Sequence, residues 1–160
     1  MQQSTRSLLF ALAAVTAVAS QPVAAYDADL AKRIHTDVTG KMDREFFAGW
    51  THIDGKDVLS MLAAGEAFTL VDVRTPEERA VLAFELPNAW AIPLNTLFQP
   101  ANLDRLAGLP GNQKILLVCK GGTRSAMASA YLGLLGFKNV SFVHGGSDAI
   151  AAALSPRSVK

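Results

Sequence analysis

Short apolar runs alternate with amphipathic stretches along most of this chain. Phe68-Thr69-Leu70-Val71-Asp72-Val73 and Lys114-Ile115-Leu116-Leu117-Val118 are brief and nearly continuous in apolar character. That is the pattern of strands buried on both faces. Val140-Ser141-Phe142-Val143 reads the same way; His52-Ile53 and Ala89-Trp90-Ala91-Ile92-Pro93 are shorter extended pieces, the second stopped by proline. Helical patterns lie between them. Asp54 is a good N-cap for a helix carrying Val58, Leu59, Met61 and Leu62, with Gly65 placed to end it. Pro76, Glu77 and Glu78 suit the first turn of another helix. Leu103 to Leu106 gives a turn or two before the Pro110-Gly111 turn. A helix through Ala126–Leu132 ends near Gly136, and Gly145-Gly146 turns the chain into a last helix through Ala149–Leu154. The alternation predicts an α/β domain with a mostly parallel central sheet and helices on both faces. Ligands of open sheets bind beyond the C-terminal strand ends. Cys119 and Asp72-Val73-Arg74 lie at such ends.

The regular pattern begins near Thr51. Tyr26 to Trp50 is mixed and charged, and predicts a short helix around Asp29–Asp37 followed by an irregular arm. Its aromatics Phe46, Phe47 and Trp50 read as packing for the arm or as a docking surface for a protein partner. Arg6, the apolar run Leu8 to Ala19 and the small residues Val23-Ala24-Ala25 read as a signal peptide cleaved near Ala25. The run is shorter than the ~20 residues of a spanning helix, so no stable membrane anchor is expected. The expected organisation is a signal peptide at 1–25, an N-terminal arm at 26–50, the α/β domain at 51–155 and a tail at 156–160. Export to a periplasmic or secreted location follows. Removing Arg6, the one charged residue before Tyr26, takes the formal charge from +1 to zero. A neutral chain gives no reason to expect nucleic acid as a partner.

Cys119 is the only cysteine, so no internal disulfide can form. A lone thiol in an exported chain is either buried and inert or kept for its chemistry. His35, His52 and His144 are scattered, without metal-ligand spacing, so neither a metal nor a cofactor is expected. Cys119 opens the run Cys119-Lys120-Gly121-Gly122-Thr123-Arg124-Ser125 between a strand and a helix. Three features of this turn lower a thiol pKa. The helix N-terminus carries partial positive charge. Gly121 and Gly122 let successive N–H groups turn inward as an anion nest. Lys120 and Arg124 add full charges. The cradle suits thiosulfate, a persulfide anion, phosphate or arsenate. Cys119 to Arg124 spans C-x4-R; cysteine phosphatases use the longer C-x5-R, and the tighter loop better matches attack on sulfur.

The segment from about Ile53 to Leu154 resembles a single rhodanese domain. The matching pieces are Leu70-Val71-Asp72-Val73-Arg74 with Glu77-Glu78, Leu86-Pro87-Asn88-Ala89 with Ile92-Pro93, and Val118 to Ser125. Ala128 to Val140 followed by Gly145-Gly146 completes the set. The resemblance implies a rhodanese-like α/β fold and a sulfurtransferase of the thiosulfate type. Cys119 would be the nucleophile that becomes a persulfide and passes its sulfur to cyanide or a thiol. Backbone N–H groups from Lys120 through Gly121, Gly122, Thr123 and Arg124 would hold that persulfide. Lys120 and Arg124 would attract the anionic donor. Arg74, at a strand end beside the site, is expected to pair with Asp72 and fix the loop or else to help bind the donor anion. Asp72 is expected to fix the loop, and Ser125 reads equally as cap or site residue. Two departures stand out: Phe84-Glu85-Leu86-Pro87-Asn88-Ala89 replaces the family's Gly-His-Ile-Pro-Gly-Ala, and Ile150 lies near the place of a frequent tryptophan. The alternatives are a persulfide carrier or anion-binding module serving a partner, a phosphatase or arsenate reductase on the same fold, and an inactive structural domain.

Overall fold

A computed structural model describes residues 26–155 of the chain. The expected signal peptide at 1–25 and the tail at 156–160 lie outside the described residues. Five strands form one sheet: β1 (Thr51–Asp54), β2 (Phe68–Asp72), β3 (Ala89–Ala91), β4 (Lys114–Val118) and β5 (Val140–His144). Their order is β1-β5-β4-β2-β3, and every neighbouring pair is parallel. All five C-terminal ends therefore open on one side. β2 and β4 run side by side from Phe68 against Lys114 to Asp72 against Val118. The ladder continues one step further, with the Val73 N–H donating to the Val118 carbonyl at 2.9 Å. This register sets Val73-Arg74 next to Cys119.

Successive side chains of a strand point to opposite faces, and β4 divides its load accordingly. Ile115 and Leu117 join Val71, Val73, Leu97, Leu106 and Leu132 in one apolar layer. Leu116 and Val118 join Val58, Met61, Phe68, Leu70 and Ile150 in the other. The first layer is closed by α5 (Leu94–Leu97), α6 (Pro100–Ala107) and α7 (Thr123–Leu134), the second by α3 (Gly55–Ala63) and α8 (Gly146–Ala153). The sheet is thus an α/β core with helices on both faces.

The helix starts follow local chemistry. α3 begins at Asp54 with a capping box shared with Asp57. α4 (Pro76–Val81) begins at Thr75, whose hydroxyl accepts from the Glu78 N–H while the Glu78 carboxylate accepts from the Thr75 N–H. α5 escaped the sequence reading, and α6 is longer than the turn or two expected at Leu103–Leu106. α5 follows Pro93 directly, and α6 starts at Pro100, earlier than the expected turn.

The arm is more ordered than expected. α1 (Ala28–Asp37) is capped by Asp27 and has no buried residue; a 3-10 turn covers Thr39–Lys41. α2 (Arg44–Gly49) is capped by Asp43, whose side chain accepts from the Phe46 N–H at 2.9 Å. The Trp50 indole N–H donates to the Ser129 hydroxyl of α7 at 2.8 Å, and its ring lies 5.4 Å from that of Phe142. Phe46 packs over Gly133. Two of the three aromatics thus tie the arm to the domain, and Phe47 remains half exposed. Among the described residues no helix is long and apolar enough to cross a membrane.

Leu117 has no exposed surface and sits in the middle of the central strand. Leu117→Ala is expected to cost about 2–5 kcal/mol in urea unfolding. Val81→Ala, at a side chain 89% exposed, is expected to stay within about 0.5 kcal/mol.

Candidate active site

β4 ends at Val118 and α7 begins at Thr123, so Cys119 to Gly122 form the connecting loop. Gly122 caps α7 with φ 98°, in the left-handed region that glycine adopts without strain. That turn aims the Gly122 N–H back at the cysteine sulfur, to which it donates at 3.1 Å. The Ser125 hydroxyl lies 3.5 Å from the same sulfur and 2.9 Å from the Gly122 carbonyl. Its single proton serves one acceptor at a time.

The other side of the loop is held by α8. The Cys119 carbonyl accepts from the Ser147 N–H at 2.7 Å and the Lys120 carbonyl from the Asp148 N–H at 3.2 Å. Gly146, at φ 63°, passes so close that a Cβ there would overlap both carbonyl groups. Only glycine fits. In a trans peptide the N–H points opposite to the C=O. The N–H groups of Lys120 and Gly121 therefore face away from α8.

Cys119 is 1% exposed. Burial pushes its thiol pKa up. The hydroxyl of Ser125 and the N–H groups of Ser125, Gly122 and Arg124 act against this and outweigh it, so the thiol is held below its ordinary value. The sulfur is thus a buried thiol held within a backbone loop, with its pKa lowered.

Both neighbouring arginines are paired with carboxylates. Arg124 is clamped by Glu78 in a two-pronged pair, Nη2 to Oε1 at 2.6 Å and Nη1 to Oε2 at 2.8 Å. Hydrogen bonding from Arg124 pulls the Glu78 carboxyl down to about 2, and Glu78 raises the Arg124 pKa in return. Arg74 is 2% exposed and grips Asp72 through Nε and Nη2, with Nη2 at 2.7 Å from Oδ2. Its Nη1 donates to the Ser147 hydroxyl at 3.4 Å, and its guanidinium carbon lies 4.9 Å from the Phe84 ring centre. The structure gives Arg74 and Asp72 a bracing role at the end of β2. Lys120 is exposed, as are Gly121 and Thr123. Of the two cations expected to attract the donor, Lys120 is exposed, and a carboxylate already occupies the Arg124 fork.

Two depressions flank the Arg124–Glu78 pair. One, of about 630 Å³, is lined by Val73, Thr75, Pro93, Leu94 and Arg124 among others. The other, of about 250 Å³, is lined by Arg74, Glu78, Leu82, Lys120 and Ser147 among others. Sequence reasoning assigned no site role to Glu78, Gly146 or Ser147. Thr75-x-x-Glu78 is a visible capping box, and Gly145-Gly146 a visible turn. Neither pattern says that its residues meet the cysteine loop.

The Rhodanese-like domain family matches residues 54–153. The chain belongs to the rhodanese-like domain family. A sulfurtransferase of Allochromatium vinosum is 32% identical over 94 residues, which cover 59% of this chain and 81% of that one. A solved rhodanese-like domain protein from Staphylococcus aureus is 33% identical, covering 62% of this chain and 90% of that one, with a TM-score of 0.51. The human single-domain sulfurtransferase TSTD1 is 26% identical, covering 65% of this chain and 97% of that one, also at a TM-score of 0.51. The rhodanese-like segment takes in the cysteine loop, β2 to β5 and the helices that cover them, and leaves α1 and α2 outside.

Alkylation of Cys119 by iodoacetamide is expected to rise with pH through a midpoint below the ~8.5 of a free cysteine. Ser125→Ala, which removes a hydrogen bond to the thiolate, is expected to move that midpoint upward. Gly146→Ala is expected to cost at least the ~1–3 kcal/mol of a residue forced to positive φ, seen in urea unfolding. The displaced loop is also expected to lose its lowered alkylation midpoint.

Proposed function

We propose that this protein is an exported sulfurtransferase that moves sulfane sulfur from thiosulfate or a similar donor through a Cys119 persulfide. The observation that carries this reading is the Cys119 sulfur in its cradle, with the Gly122 N–H at 3.1 Å and its pKa held down. The Cys119 thiolate attacks the outer sulfur of thiosulfate. The donor S–S bond breaks, and its electron pair leaves on sulfite. The loop N–H groups from Lys120 to Arg124 then hold the persulfide anion, and Lys120 attracts the incoming donor. Cyanide or a thiol attacks the outer sulfur and regenerates the thiolate. Membership of the family supports sulfur transfer in general. The choice of thiosulfate rests on the exposed Lys120 cation of the loop. Export rests on the pattern of residues 1–25.

Thiosulfate with cyanide is expected to yield thiocyanate with wild type and none above background with Cys119→Ser. Mass spectrometry of the mature protein is expected to find Tyr26 first in the chain and one extra sulfur on Cys119 after thiosulfate. No Cys119-dependent sulfur gain would sink the reading. Stable loading with negligible turnover would instead mark a carrier that hands its sulfur to another protein.

A further inference from the structure

The cysteine loop carries less net charge than its sequence suggests. Arg74 and Arg124 stand beside it, and each has a carboxylate in its fork: Asp72 for Arg74 and Glu78 for Arg124. Lys120 is the exposed cation of the loop, and Asp148 lines the same depression. Glu77 lines the depression on the other side. Of these acids, Glu78 holds the arginine that follows the cysteine loop directly: Arg124 stands in the first turn of α7, and its guanidinium sits in the Glu78 carboxylate fork.

We propose that Glu78 is a specificity-determining residue that sets which donor charge the site accepts. By cancelling Arg124 it holds down affinity for a doubly charged donor and favours a singly charged organic persulfide, R–S–S⁻. This rests on the sulfur-transfer reading above. With such a donor the Cys119 thiolate attacks the outer sulfur, the R–S–S bond breaks, and the electron pair leaves on R–S⁻. One monoanion enters and one leaves, so Cys119 carries one negative charge before the transfer and one after it. Apolar walls suit the R group: Val73, Pro93 and Leu94 on one side, Val81 and Leu82 on the other.

Glu78→Gln isolates the charge, because glutamine also fills the third helical position of a capping box. A unit charge removed about 6 Å away in a water-like dielectric changes affinity about tenfold for a dianion and about threefold for a monoanion. The Glu78→Gln protein is therefore expected to show KM for thiosulfate lowered about tenfold and KM for an ionised alkyl hydropersulfide lowered about threefold. Iodoacetamide, a neutral probe, is expected to react at an unchanged rate where Cys119 is fully ionised. Glu78→Asp, which keeps the charge, is expected to retain the wild-type ratio of the two KM values. Added salt is expected to shrink the difference between the Glu78→Gln and wild-type proteins. An equal change for all three probes, or none, would make Glu78 a purely structural clamp and overturn the assignment while leaving sulfur transfer standing. Failure of both donors to load Cys119 in wild type would overturn the sulfur-transfer reading and this assignment with it.

Discussion

The site depends on where the carbonyl groups of the cysteine loop go. A loop that concentrates N–H groups on one side must dispose of as many C=O groups on the other, and buried ones need partners. Here α8 takes them: its first N–H groups, otherwise unpaired at a helix start, bond the carbonyls of Cys119 and Lys120. The peptide planes are thereby fixed, and the amides have no choice but to face the opposite way. A single exchange of hydrogen bonds completes the end of one helix and orients the cradle before another. It also explains why β5 and α8 must join through a glycine turn, since any side chain at Gly146 would stand between the donor and acceptor backbones.

The same economy shows in the charged residues. Glu78 caps α4 and clamps Arg124 with one carboxylate. Asp72 closes β2 by accepting from the Arg74 N–H and holds the Arg74 guanidinium as well. Arg74 in turn reaches Ser147 on α8. The second pair is buried, with side chains 3% and 5% exposed. A buried charge stripped of its partner costs about 3–5 kcal/mol, so the geometry at the end of β2 is strongly held. Both pairs join the β2 end to elements that carry or brace the cysteine loop. The loop is built from β4 and α7, yet it is anchored from β2, α4 and α8.

The sheet and most helices were legible in the sequence because they rest on local periodicity and caps. The continuous apolar runs of β2 and β4, the Asp54 cap and the glycine after α7 each announce their element within a few residues. The strand-to-helix setting of Cys119 was legible for the same reason. The arm was less so: α2 is a short helix held by the Asp43 cap, a weak signal beside mixed charges. What the sequence could not show was pairing. Arg124 and Glu78 are distant in the chain, and nothing in either segment tells a free cation from one held in a carboxylate fork. The basic look of the loop was therefore a true reading of composition and an incomplete reading of electrostatics. Phe84, read in the sequence as a departure from the family pattern, is the ring beneath Arg74.

The depth of Cys119 has a further consequence. A disulfide requires two sulfurs about 2.05 Å apart, and this chain has one cysteine. Two copies would have to bring together two thiols that are each 1% exposed. Burial thus sets the Cys119 thiol back from the thiol of a second copy.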